Sequence, residues 1–360
     1  MNKFLLHIMV GVSVLLVGCT KFGHLSSEGA PAIAFDMSMD QTKALISPDN
    51  LNTAGNKFVV YDVHTSENGL DQYLDAQYLE YRDGQWSFTK TSGGDVIQIP
   101  WTKKGTHDFL TYNVHDASAN KSIPVEVSYN KNYSTAKQQS LRVPNSGEWT
   151  LSLNNQFDFI YGSAARNVET DGFSAVPVNF KHLFAAVAVE VRNASTQQLK
   201  LSKLSFNNIK DKGYAEVNYG GNVQYGLSAS GTTGLFSAIN SELTVAVGSS
   251  TVLYNTLGNG QSFLIWPHSA VNLADAAIVI EYKLGNDRTA TTKTISLTEN
   301  YTVKTWLAGN KYKYLIAVTD DKRERTAILG DPWTEKHPWR GSKEKQGRRS
   351  RCVGRLPFHL

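Results

Sequence analysis

The sequence predicts an all-β protein built as two tandem antiparallel β-sandwiches, and three observations lead there. Short runs with a period of two, rich in Val, Ile, Tyr, Phe and Thr, recur through the body between clusters of Gly, Asn, Asp and Ser. Apart from the N-terminal segment, no long stretch carries a 3.6-residue apolar period, which argues against parallel α/β units. A length of 360 residues, 41% hydrophobic and 19% charged, suits two cores at roughly 100–200 residues per domain. The same composition excludes disorder and a collagen repeat, and 2 Cys exclude a disulfide scaffold.

In chain order, Lys3 precedes an apolar run, Phe4 to Leu16, that suits a signal-peptide core and is too short to span a bilayer. It ends in Leu16-Val17-Gly18-Cys19, small residues before a cysteine, as in a bacterial lipobox. Residues 1–18 therefore read as a lipoprotein signal peptide and Cys19 as the acylated new N-terminus, held by more than one chain because a single acyl chain binds only marginally. Candidate strands follow at 32–38, 57–63, 77–82, 86–89, 96–101, 107–112, 125–129, 157–161, 180–192, 203–207, 244–247, 262–266, 277–283, 294–297 and 311–318. In 311–318, Tyr312, Tyr314, Ile316 and Val318 share one face, and in 185–192 Val187, Val189 and Val191 oppose Ala186, Ala188, Glu190 and Arg192. Arg82-Asp83-Gly84-Gln85 and Leu284-Gly285-Asn286-Asp287 read as hairpin turns. The polar stretch 164–176 sets the domain boundary, and the Gly/Ser-rich stretch 220–230 reads as a long loop.

The formal charge of +4 is unevenly spread. Residues 334–360 hold eight basic side chains against two acidic ones, whereas the body between the signal and this tail has 27 basic and 30 acidic residues. A weakly acidic body gives no support for nucleic-acid binding.

Chemistry is sparse. The nine histidines form no His-Glu-x-x-His, and the nearest pair is His107 with His115, at opposite ends of one strand and its loop. No Gly-x-Ser-x-Gly elbow, phosphate loop or dinucleotide fingerprint is present. Asp71 with Asp75, or Glu80 with Asp83, are conceivable acid/base pairs, but sequence sets no carboxyl separation and loop acids are ordinarily solvated. Trp86, Trp101 and Trp266 would stack on sugars if exposed and fill the core if not. With Cys19 acylated, Cys352 has no intramolecular partner and no thiolate metal site forms. The expectation is a non-enzymatic protein without cofactor or metal.

Taken together, the lipobox at Cys19, Ala32-Ile33-Ala34-Phe35, Thr42-Lys43-Ala44 and Lys57-Phe58-Val59-Val60-Tyr61 resemble the start of Bacteroidales fimbrillins, the major and fimbrillin-like pilus proteins. Pro100-Trp101, 107–112 and 156–162 look like that family's first-domain strands; 178–185, 306–314 and Asp331-Pro332-Trp333 look like its second half. The resemblance implies transthyretin-like sandwiches at 44–170 and 171–333, after a lipidated segment 19–43 that carries the first strand. It implies trimming by a trypsin-like protease at Lys43-Ala44, where Lys stands for the more usual Arg, withdrawal of strand 32–38, and polymerisation by strand exchange. An ordinary loop lysine is the other reading of Lys43.

The implied partners are other pilin subunits, outer-membrane lipid through Cys19, and a host or bacterial surface receptor or glycan; the implied place is the cell surface, in a fimbrium. After Trp333 the pattern breaks: the tail 334–360 reads either as an aberrant end or as a disordered basic arm. The other function class is a surface glycan-binding lipoprotein of a polysaccharide-uptake system, which shares the anchor and the sandwiches but needs an exposed aromatic platform.

Overall fold

The computed structural model describes residues 30–39, 46–130, 138–152, 155–235, 242–253, 262–297 and 305–320. Its regular structure is mostly strand. The strands up to His182 are β1 (Phe35–Met39), β2 (Lys57–Ser66), β3 (Gly69–Arg82), β4 (Gln85–Thr89), β5 (Thr106–Asp116), β6 (Lys121–Ser122), β7 (Ser128–Asn130), β8 (Ser140–Val143), β9 (Trp149–Thr150), β10 (Ile160–Asn167) and β11 (Val176–His182). After them come β12 (Ala185–Asn193), β13 (Leu199–Ile209), β14 (Lys212–Asn218), β15 (Val223–Leu227), β16 (Thr232–Leu235), β17 (Leu243–Val245), β18 (Ser250–Leu253), β19 (Phe263–Ile265), β20 (Ala277–Leu284), β21 (Thr291–Ser296) and β22 (Lys311–Val318). The helices among the described residues are single turns: α1 (Pro48–Leu51), α2 (Val168–Asp171) and α3 (Ala270–Leu273).

Four sheets result. The largest runs β1-β11-β10-β5-β2-β3-β4 with β6 on β5; a second is β15-β14-β8-β7 with β9 on β14. The third joins β18, β12, β19 and β22, and the fourth runs β16-β13-β20-β21 with β17 on β13. Strands from both sides of residue 170 meet in the first two sheets. Pairing is antiparallel except at two seams, β1 with β11 and β12 with β22.

The central strands of the large sheet are apolar on both faces, which explains their unbroken hydrophobic runs. In β2, Phe58 and Val60 point into one core with Phe109, Ile160, Val176, Val178 and Phe180. Val59 and Tyr61 point into the other, with Leu110, Tyr112, Tyr161 and side chains of the remaining sheets. The β3–β4 hairpin closes at Asp83 and Gly84, with φ of 50° and 80°, the pair of positive values that a tight two-residue turn requires.

Several expectations change here. The run 180–192 is not one strand: β11 ends at His182, Leu183 and Phe184 are buried at the crossing, and β12 continues in another sheet. Segment 96–101 pairs only through isolated bridges, Thr89 with Val96 and Ala32 with Pro100. Stretch 220–230 is not a loop, because β15 pairs with β14 around a turn at Gly220-Gly221. The expected strand 157–161 begins only at Ile160, because Gln156 and Asp158 turn inward along with Phe157 and Phe159.

Candidate functional site

Among the described residues, strand β1 is the edge of the large sheet; it lies parallel to β11, with Phe35 opposite Val176, Met37 opposite Val178 and Met39 opposite Phe180. The burial alternates as the pleat dictates: Phe35, Met37 and Met39 are buried while Asp36 and Ser38 face out. Phe35 meets Phe88 and Phe109 edge-on, with centroids 5.6 and 5.4 Å away. Just upstream, the Ile33 N–H donates to the Ile99 carbonyl at 2.8 Å and the Trp101 N–H to the Pro31 carbonyl at 3.0 Å. The segment 31–39 therefore lies between β11 and a strap at 99–101.

The strap is tied down by a buried polar chain. Tyr73 Oη donates to the Pro100 carbonyl at 2.5 Å. His64 on β2 and His107 on β5 face one another across the ladder, with ring centroids 4.7 Å apart. Asp62 Oδ2 lies 2.5 Å from His107 Nδ1, His107 Nε2 2.8 Å from Thr102 Oγ1, and Thr102 Oγ1 2.8 Å from the Lys104 carbonyl. His64 bridges Asp71 and the same carbonyl at 3.0 and 2.7 Å.

Burial, before any neighbouring charge, pushes the Asp62 carboxyl well above the usual range. Burial and then His64 push the His107 imidazole down to about 3. Thr102 Oγ1 donates to the Lys104 carbonyl, so His107 Nε2 must be the donor to Thr102. With the imidazole held neutral its Nδ1 takes the proton of Asp62 Oδ2, while Asp62 Oδ1 has no hydrogen-bond partner among the described residues. The order hydroxyl, imidazole, carboxyl is that of a nucleophile relay, yet its polarity is reversed. Here His107 donates to Thr102 instead of accepting its proton, so the hydroxyl is not activated.

The other candidate residues resolve simply. Glu80 is buried, accepting from Arg82 Nη2 at 2.5 Å and Nε at 2.9 Å and from the Gly93 N–H. Burial would raise its pKa, but the Gly93 N–H, the Arg82 guanidinium and the Lys57 ammonium outweigh that and lower it. Asp83 sits in the β3–β4 turn, and Asp71 and Asp75 lie on β3. Trp101 and Trp266 are fully buried, and Trp86 is half-buried with its Nε1 donating to Asn52 Oδ1 at 2.9 Å. His107 and His115 do lie at opposite ends of β5, but the histidine that His107 meets is His64. Among the described residues, no group of three His, Cys, Asp or Glu side chains is arranged to hold a metal ion, and no helix is long and apolar enough to cross a membrane. Cys19, Lys43, Ala44 and Cys352 lie outside the described residues.

The fimbrillin-like family model matches residues 42–333. The chain belongs to the fimbrillin-like family. Solved structures similar to this fimbrillin-like chain include a candidate cell adhesion protein from Bacteroides uniformis, 15% identical, covering 82% of this chain and 95% of that one, with a TM-score of 0.44. A second, from Bacteroides ovatus, is 13% identical, covers 81% and 93%, and has a TM-score of 0.45. The fimbrial anchor protein Mfa2 from Porphyromonas gingivalis is 12% identical, covering 79% and 90%, with a TM-score of 0.30. No curated protein sequence matches the chain.

Proposed function

We propose that this fimbrillin-like protein is a structural subunit or adhesin of cell-surface pili, exported as a lipoprotein through Cys19. Assembly begins when a trypsin-like protease cuts at Lys43-Ala44 and β1 gives way to a strand donated by another subunit. The observation that carries this reading is the seating of β1. It is an edge strand that precedes the basic residue in sequence, and its partner β11 is already held on the far side by β10.

Withdrawing β1 uncovers the Val176, Val178 and Phe180 row and one backbone edge of β11. An incoming strand with alternating apolar residues satisfies both. A donor on one face and an acceptor on another form a head-to-tail contact that propagates as a filament. In this reading 44–170 and 171–333 carry the two sandwich units, and the protein resides in a fimbrium at the outer surface with pilin subunits as partners. A receptor or glycan would be met from there. Of the three tryptophans that the glycan-binding alternative could use as a platform, Trp101 and Trp266 are core side chains and Trp86 is half-buried.

Limited trypsin digestion of the purified chain, followed by mass spectrometry and gel electrophoresis without heating, tests the proposal. Cleavage after Lys43 with a heat-sensitive ladder is expected; cleavage there without a ladder, or surface-assembled protein that does not start at Ala44, refutes it.

A further inference from the structure

The chain on the far side of the trimming segment is held in a different way from β1. At Ile46 the backbone N–H donates to Asp158 Oδ2 at 2.8 Å, across 112 residues of sequence. The second oxygen of that carboxyl, Oδ1, takes the Nδ1–H of His182 at 2.9 Å. Asp158 is itself fixed to β5, since Asn113 Nδ2 donates to its carbonyl at 2.8 Å and Asn113 Oδ1 accepts from the Ile160 N–H at 2.9 Å. Ile46, Asn113, Asp158 and His182 are all buried. Buried polar groups joined in this way are expensive to separate, because each would be left without its partner.

The position of this knot matters. His182 is the last residue of β11, two residues beyond Phe180, which pairs with Met39 of β1. The knot therefore stands at the end of the seam that β1 occupies. Downstream of it the chain stays fastened: the Leu51 N–H donates to the Ser47 carbonyl at 2.9 Å, and Asn56 Nδ2 donates to the Leu51 carbonyl at 2.7 Å. Both segments place apolar side chains in one core, Ile46 and Leu51 alongside Phe35, Met37 and Met39, and the chain at Ile46 has in addition a backbone bond to a buried carboxyl.

From this contrast we infer that Asp158 is a positioning residue that divides the chain. It keeps residues from Ile46 onward seated when β1 leaves, so that the slot beside β11 opens without fraying the retained body. The inference rests on the reading that β1 is the strand withdrawn.

The test is hydrogen–deuterium exchange, read by mass spectrometry on the wild-type chain and on Asp158→Asn, each before and after trypsin. In the cut wild type, peptides covering 46–51 should exchange within about twofold of the uncut rate while the β1 peptide is lost. In Asp158→Asn the same peptides should exchange at least tenfold faster, cut or uncut, with the β12–β22 ladder unchanged. The inference falls if cutting frees 46–51 in the wild type, or if Asp158→Asn leaves their exchange unaltered. Should trypsin make no cut between Met39 and Ile46, the trimming proposal fails, while the uncut comparison still reads the knot.

Discussion

The seating of β1 makes a quantitative demand on Phe35. Its ring is buried beneath the sheet edge, between Phe88 and Phe109, at centroid distances of 5.6 and 5.4 Å. Truncating a buried Phe to Ala costs about 3–5 kcal/mol, combining lost transfer energy with the cavity left behind. An edge strand relaxes more readily than a central one, so about 3 kcal/mol is the expected figure for Phe35→Ala, or roughly a hundredfold in the opening equilibrium of β1. Native-state hydrogen exchange is the assay, because an edge strand opens without global unfolding. Amides of Met37 and Met39 should exchange about a hundredfold faster, and those of the β2–β5 ladder at unchanged rates. Asp36→Ala, on the outward face of the same strand, is the control and should alter exchange by less than about threefold. Equal effects from Phe35→Ala and Asp36→Ala, or acceleration spread evenly over the sheet, would refute the argument that alternate side chains seat β1.

Gly162 on β10 is a second pressure point: a Cβ there would lie 2.5 Å from Val178 Cγ1 on β11. Gly162→Ala should cost about 1–3 kcal/mol in urea unfolding, with most of it regained in the double variant Gly162→Ala, Val178→Ala. His268 gives a pH dependence. Its Nε2 accepts from the Lys210 N–H at 3.0 Å and its Nδ1–H donates to the Trp266 carbonyl at 2.6 Å, so the ring is built in as neutral. Burial lowers its pKa to about 4 against an upward pull from the Trp266 carbonyl, and the Lys210 charge adds a smaller push down. An unfolded histidine titrates near 6.5, so the unfolded chain binds this proton first. The stabilisation is complete above about pH 6.5 and declines as pH falls toward 4, by on the order of 3 kcal/mol. His268→Gln, which keeps a donor and an acceptor but gains no proton, should flatten that part of the stability profile; an unchanged slope would count against it.

What the sequence made legible was local. The alternation in Lys311–Val318 predicts a strand with one buried face, and β22 has those bounds and that pattern. The parallel pairing of β22 with β12 is nonlocal, and no residue in either strand announces it. Leu183 and Phe184 carry no Gly or Pro to punctuate the chain, so the crossing between two sheets reads as one continuous strand. At Gly220-Gly221 the glycines mark a tight turn, yet neighbouring glycines and serines hide the strand that follows. The histidine pair was invisible because His64 and His107 meet only through the β2–β5 register. Asp158 did leave a trace: an acid flanked by Phe157 and Phe159, in a run where both faces prove buried, has to find internal partners.

The order in which the chain is made bears on how β1 comes to be separable. Its partner β11 lies some 140 residues downstream, so β1 cannot pair until almost half the chain has emerged. By contrast β2 pairs with β3, and β3 with β4, through tight local connections, and β5 then adds to β2. Local pairings form before distant ones because the loop they close costs less entropy. The pairing of β1 with β11 closes the longest loop in this sheet, and the pairings from β4 to β11 do not require it. A strand with the longest loop to close in its sheet, and at the sheet's edge among the described residues, is one whose exchange for an equivalent strand leaves the rest of the ladder intact. When that strand is gone, the chain from Ile46 onward keeps the Asp158 bond at Ile46 and the β2 ladder from Lys57.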